Sequence, residues 1–216
     1  MEGLGRRGFR FRQRRNIHSL FASGHADPVR QPGPLLLNPP SAWVQRWAHL
    51  INGEGRVLDL ACGQGRHAFY LAARGRRIIA CDRDADALDS LRGVQGVETV
   101  LADLEIGGPW PFGGQVFCAV LVVNYLHRPL FRDIAAAVAP GGVLIYETFA
   151  AGNERYGKPS NPEFLLRPGE LLEEFGRNLT VVGFEYGRVS RPKPALVQRL
   201  CAVRSTASEI DLDCPL

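Results

Sequence analysis

Apolar positions follow two alternating patterns along the chain. Short, mostly apolar runs at residues 56–61, 77–81, 97–101, 116–123, 143–149, 179–189 and 196–203 read as strands. The run at 116–123 is nearly continuous, as expected of a strand buried on both faces of a parallel sheet. Between the runs, apolar residues recur at helical spacing. Trp43, Trp47 and Leu50 mark a helix that Ser41 can cap and that extends to about Ile51. Further helices are predicted over 66–74, from Asp84 to about Arg92 with Gly93 as the stop, over 130–138, and over 170–175 with Pro168 near the start. A Pro140-Gly141-Gly142 turn is expected ahead of the fifth strand.

Strands alternating with helices predict βαβ units with right-handed crossovers. The fold class is therefore α/β: a Rossmann-like open sheet of seven strands, mostly parallel, with helices on both faces. The final two strands have only residues 190–195 between them. A parallel crossover needs a dozen or more residues, so this gap predicts an antiparallel strand in a C-terminal hairpin. The expected organisation is a leader at 1–40 rich in Arg, Gly and Pro, one domain at 41–204 with a lid-like insertion at 150–168, and a tail at 205–216.

Length and composition agree with a single core, at 216 residues, 23.8 kDa and 45% hydrophobic residues. No apolar run approaches the ~18 residues of a membrane span. The net charge of +4 suggests a nucleic-acid partner until it is located. Seven Arg against Glu2 and Asp27 give residues 1–30 a charge of +5, which leaves −1 for the rest. The basicity belongs to the leader and says little about the domain's partners. That leader admits three accounts: a phosphate-binding arm, an Arg-rich presequence, or translation from an upstream start codon. Five cysteines, with no C-x-x-C pair, argue against disulfide staples and a metal cage and for a reducing, cytoplasmic setting.

The chemistry concentrates in Val57-Leu58-Asp59-Leu60-Ala61-Cys62-Gly63-Gln64-Gly65-Arg66-His67. A strand runs into a turn whose glycines let the backbone approach a ligand, and a helix N-terminus follows. Asp82 closes the second strand, where a carboxylate can accept both hydroxyls of a ribose. Asp59 lies inside the first strand, able to meet an ammonium, and Asp103 follows the third, able to accept an adenine amino group. Each acid alone is also explained by backbone N–H partners or strand-end turns. Together they fall at or near strand carboxyl ends, where open α/β sheets bind ligands. Ribose, adenine and ammonium contacts without a phosphate contact describe S-adenosylmethionine better than a nicotinamide dinucleotide.

From about Trp43 to Val203 the chain resembles the class I S-adenosylmethionine-dependent methyltransferases. The family's glycine-rich motif matches Asp59 to Gly65, its ribose acid Asp82, its adenine-site acid Asp103, and its Pro-Gly-Gly turn Pro140-Gly141-Gly142. Within the family, Glu147-Thr148-Phe149 through Pro168 is most similar to small bacterial enzymes of the tellurite-resistance type. The resemblance implies cofactor contacts at Asp59, Ala61, Gly63, Gly65, Asp82, Arg83, Asp103, Leu104 and Asn124. It also implies a small-molecule acceptor such as a thiol, hydroxyl or chalcogen oxyanion.

Methyl transfer from a sulfonium is an in-line displacement, so positioning can supply much of the rate, up to ~7–11 kcal/mol. A base is needed only where the acceptor must lose a proton. Candidates are His127, past the fourth strand, and Glu147, in an apolar strand where a carboxylate requires a partner. The sequence Asn124-Tyr125-Leu126-His127 lacks the Pro-Pro-aromatic turn of enzymes that methylate adenine or glutamine amides, which disfavours that chemistry. The irregular stretch at 150–168 leaves the fifth strand and is expected to overhang the cofactor. Its Arg155, Tyr156, Lys158 and Arg167 are candidate substrate contacts. Rival readings are an RNA methyltransferase using the basic arm, a non-catalytic nucleoside-binding module and a nicotinamide-dependent oxidoreductase.

Overall fold

A computed structural model describes residues 38–205, together with 209, 210, 212 and 213. Most of the expected leader and tail lies outside the described residues. The elements are α1 (Ala42–Trp47), β1 (Arg56–Leu60), α2 (Arg66–Ala72), β2 (Arg77–Asp82), α3 (Ala85–Asp89), β3 (Val97–Leu101), β4 (Phe117–Val123), α4 (Phe131–Ala137), β5 (Val138–Phe149), α5 (Glu170–Phe175), β6 (Thr180–Val189) and β7 (Ala195–Val203). The strands form one sheet in the order β3-β2-β1-β4-β5-β7-β6. β1 to β5 are parallel to one another, and β7 runs antiparallel to both β5 and β6. The α/β architecture and the reversed hairpin expected from the sequence are both present.

Side chains alternate across this sheet and build two cores. On the first face Val57, Ile78, Ala80, Leu121 and Ile145 pack under α1, α2 and α3, through Trp43, Trp47, Leu71 and Leu88. On the second, Leu58, Leu60, Val120, Leu144 and Tyr146 pack under α4 and α5. Phe175 there meets Phe131 edge-on at 5.3 Å. Full burial of each such side chain is worth about 1.5–3 kcal/mol, which is why β1 and β4 tolerate only one buried charge between them. That charge is Asp59.

Two expectations are revised. α3 stops at Asp89, short of Arg92, because turns follow directly and deliver the chain to Gly93 with φ +76°. Pro140-Gly141-Gly142 is not a turn ahead of β5 but an irregularity inside it, where the pairing of β4 jumps from Phe117↔Val138 to Ala119↔Val143. A side chain on Gly142 would lie 2.9 Å from the carbonyls of Phe117 and Ala139. Glycine there lets β5 pass the edge of β4. The crossover from β3 to β4 has no helix among the described residues; Phe112 plugs the second core instead, edge-on to Phe117 at 5.6 Å.

Gly183 sets how closely α1 approaches the hairpin. A Cβ built on it would lie 2.4 Å from the Trp47 ring, which is itself buried. Gly183→Ala should therefore cost about 1–3 kcal/mol, as overpacking does. Urea unfolding followed by fluorescence would read this as a lower midpoint at unchanged slope.

Candidate functional site

β1 and β4 are neighbours in the sheet, yet their crossovers leave in opposite directions, to β2 and to β5. Strand order reverses between them, and an open α/β sheet binds ligands at such a point, beyond the carboxyl ends. The turn after β1 is held open by left-handed backbone at Ala61 (φ 53°), Gly63 (φ 54°) and Gly65 (φ 77°). The Gly63 N–H donates to Asp82 Oδ2 at 2.7 Å, and the Asp84 N–H donates to Asp82 Oδ1 at 3.0 Å. Asp82 thus fixes the glycine turn and still has lone pairs to offer.

A cleft of about 180 Å³ lies beside this turn, lined by Ala61, Asp82, Arg83, Ala102, Asp103, Leu104, Glu105 and Tyr125. Five of the expected cofactor contacts, Ala61, Asp82, Arg83, Asp103 and Leu104, come together here from the ends of β1, β2 and β3, and Tyr125 adds the end of β4. Asp103 is exposed, and one of its oxygens accepts the Glu105 N–H at 2.9 Å, leaving the other open. Arg83 and Glu105 pair at 3.3 Å along the rim. Tyr125 is a wall residue that the sequence reading passed over, and its buried hydroxyl has no hydrogen-bond partner. Burial and the neighbouring carboxylates raise the pKa of that phenol, so the hydroxyl keeps its proton and can donate. Asn124 takes a left-handed turn (φ 59°) just outside this wall, and its N–H donates to the Glu147 carbonyl at 2.8 Å.

Under the glycine turn runs a buried polar chain. Asp59, 1% exposed, receives the backbone N–H of Ala68 and lies 3.9 Å from His67 Nδ1. The Ser41 N–H donates to His67 Nε2 at 3.2 Å, so the ring's proton sits on Nδ1, facing Asp59. The Ser41 hydroxyl donates to Glu147 Oε1 at 3.1 Å, and Glu147 Oε2 lies 2.6 Å from Arg199 Nε. Burial pushes Asp59 up to about 7 and His67 down to about 3, each toward its neutral form. The second oxygen of Asp59 is buried without a partner. An orphaned acceptor of this kind fits a ligand's cationic donor, as does the unpaired Tyr125 hydroxyl a ligand's acceptor.

The candidate catalytic and substrate residues are distributed differently. Glu147 is absent from the cleft beside Asp82 and lines a separate one of about 520 Å³. His127 is half-buried at the start of the 3₁₀ turn after β4 and lines neither cleft. The stretch at 150–168 is anchored: Asn153 is buried and accepts the Leu196 N–H, and Leu165 and Leu166 enter the core. Arg155, Tyr156 and Lys158 are exposed on it and line neither cleft, and Arg167 pairs with Glu170 and Glu173. The loop stands over the end of β5 instead of over Asp82. Among the described residues no cluster of three or more His, Cys, Asp or Glu could hold a metal ion, and no helix is long and apolar enough to cross a membrane.

Comparison with known proteins points one way. Residues 57–142 match a family profile described as a methyltransferase domain. A cypemycin N-terminal methyltransferase from Streptomyces is 31% identical over 115 residues, 49% of this chain and 46% of that protein. The chain thus spans about half the length of this curated relative. TehB from Haemophilus influenzae superposes with a TM-score of 0.60 at 16% identity, over 75% of this chain and 61% of that one. The glycopeptide N-methyltransferase MtfA, solved with S-adenosyl-L-homocysteine, superposes with a TM-score of 0.55 at 16% identity, over 77% and 90%. At those identities the two superpositions establish the shared fold.

The Asp59–His67 pair has a particular pH signature. Between about pH 4 and 6.5 the unfolded chain carries one proton on the imidazole, whereas the folded chain carries one on the carboxyl. The proton counts match, so the pair adds no slope to stability there. Single variants unmask the halves. In Asp59→Asn only the depressed His67 remains, so stability relative to wild type should fall as pH drops below 6.5. In His67→Asn only the raised Asp59 remains, so stability relative to wild type should rise as pH drops below about 7. Each slope approaches about 1.4 kcal/mol per pH unit. Denaturant titrations of the three proteins from pH 4.5 to 8 would measure them; parallel profiles would show the pair does not titrate this way.

Proposed function

We propose that the chain is a class I S-adenosylmethionine-dependent methyltransferase and that it transfers a methyl group to a small-molecule acceptor in the cytoplasm. The observation that carries the reading is the cleft at the ends of β1, β2, β3 and β4, with three carboxylates and an unpaired phenol around a space suited to a nucleoside. At about 180 Å³ it is smaller than the roughly 300–1,000 Å³ of pockets that enclose a whole ligand. One end of the cofactor fits there and the rest lies along the glycine turn. S-adenosylmethionine, the family's cofactor, supplies a methyl group on a sulfonium that leaves as a neutral thioether.

The chain's own residues bind and orient. The free lone pairs of Asp82 accept the ribose hydroxyls, and the open oxygen of Asp103 accepts the adenine amino group. Ala61 and Leu104 cover the base, and Tyr125 donates from the wall. Gly63 and Gly65 bring backbone close to the ligand, and Asp59 Oδ2 faces its ammonium. Arg83 and Asn124 close the two sides of the site. Glu147, held by Ser41 and Arg199 beside the larger cleft, is the candidate to accept a proton from the acceptor, ahead of His127, which lines neither cleft. Arg155, Tyr156, Lys158 and Arg167 stand on the loop leaving β5, outside both clefts. Four buried free cysteines, Cys62, Cys81, Cys118 and Cys201, support the cytoplasmic assignment.

Acceptors considered first are thiols, hydroxyls and chalcogen oxyanions. A second reading, a peptide amine, is supported by the relative described as an N-terminal methyltransferase.

Calorimetric titration tests the proposal. S-adenosylmethionine and S-adenosylhomocysteine should bind and NADH should not. Asp82→Ala should weaken both sulfur ligands by at least tenfold, the scale of losing hydrogen bonds to a charged group. Binding of NADH, or an unchanged affinity in the variant, would overturn it.

A further inference from the structure

The cleft of about 520 Å³ beside Glu147 has a composition unlike the rest of the surface. Its walls are Pro39, Pro40, Phe149, Pro192, Ala195 and Val197, and around them stand Arg66, Arg191, Lys193 and Arg199 with Glu147 as the single acid. Arg199 is already neutralised, by Glu147 at 2.6 Å and Glu185 at 3.1 Å. Arg66 donates to the Pro39 carbonyl at 3.2 Å, and among the described residues neither it nor Arg191 nor Lys193 has a carboxylate partner. Three uncompensated cations therefore converge on one apolar cavity. On the floor Glu147 Oε2 and Arg199 Nε form an ion pair at 2.6 Å.

This cleft adjoins the proposed cofactor site through the glycine turn. Ala61 lines the smaller cleft, and Arg66, the first residue of α2, lines the larger. The chain Asp59–His67–Ser41–Glu147 runs beneath both. β7 is antiparallel, so its start and the 190–194 connection come to the same edge of the sheet as the carboxyl ends of β1, β4 and β5.

We propose that this cleft is the acceptor site and that the acceptor is an organic anion, with an apolar body against Phe149, Val197 and Pro192 and a carboxylate received by Arg191 and Lys193. The assignment rests on the methyltransferase reading for the acceptor's role, while the charge preference rests on the cleft alone. Apolar walls exclude water, and within such walls a cation discriminates a carboxylate from its neutral amide isostere more strongly than it does in bulk water. Arg191 and Lys193 are exposed on a hairpin connection, so replacing them leaves the core intact.

The test uses the full chain, with and without saturating S-adenosylhomocysteine, and two probes of one shape: phenylacetate and phenylacetamide. Calorimetry or ligand-observed NMR at low ionic strength should show phenylacetate binding about tenfold tighter than the amide. In R191A/K193A the phenylacetate affinity should fall about tenfold, while the phenylacetamide and S-adenosylhomocysteine affinities stay within twofold. Equal binding of acid and amide, no binding of phenylacetate, or a variant that keeps its preference overturns the proposal. A variant that loses S-adenosylhomocysteine also overturns it, because the cations would then serve the cofactor's own carboxylate. Failure of wild type to bind S-adenosylhomocysteine overturns the methyltransferase reading instead, and the acid-to-amide ratio on the unloaded chain still decides the cleft's charge preference.

Discussion

Ser41 is the point at which three parts of the domain are tied together. Its backbone N–H reaches His67 in α2, its hydroxyl reaches Glu147 in β5, and the same hydroxyl accepts the Trp43 N–H that starts α1. These bonds are made in the dry interior, where an unpaired polar group costs about 1–3 kcal/mol. The consequence is mutual dependence. Asp59 is tolerable in an apolar strand because His67 faces it, and His67 has a defined tautomer because Ser41 occupies its other nitrogen. Glu147 in turn stands in a buried strand because Ser41 and Arg199 hold it. Loss of one member strands the next, so α1, the glycine turn and the end of β5 are geometrically one unit.

That unit explains why the two clefts differ in character. The one beside Asp82 is acidic and hydrogen-bonding, assembled from loops that the parallel strands deliver side by side. The one beside Glu147 is apolar and cationic, assembled where the antiparallel strand brings the other end of its hairpin to the same edge. A parallel sheet alone would supply only βα loops at this edge. The reversal of β7 adds a ββ connection, and with it residues of a chemistry the first half of the domain does not provide.

Much of this was legible in the residues, and the physical reason is local. The strands of the first half announce themselves because burial on both faces forces consecutive apolar residues, as in Phe117–Val123. Asp59, Asp82 and Asp103 were legible because acids at strand ends break that pattern at fixed places. What escaped depended on contacts between distant segments. Ser41 reads as a helix cap, which it is, and nothing nearby shows that it also binds residues 26 and 106 positions away. Tyr125 gains its meaning only from the neighbours that surround it in space. The stretch at 150–168 reads as a lid over the cofactor from its Gly, Asn and Pro content, and nothing in it shows that Asn153, Leu165 and Leu166 are buried. The Pro140-Gly141-Gly142 signal was right about backbone freedom and wrong about its use, because a bulge and a turn make the same demand on φ.

The strand order also bears on how the chain comes to be made. β5 and β6 follow one another in sequence, but β7 lies between them in the sheet. Until β7 leaves the ribosome, some 54 residues after the end of β5, the outer edge of β5 has no partner. At usual rates of synthesis that interval lasts roughly 3–10 s. During it a largely apolar strand presents open hydrogen-bonding groups, the condition under which edges pair with other chains. The nascent protein is thus most exposed to misassembly just before its last strand arrives, and a chaperone that shields β5 would be needed only for that interval.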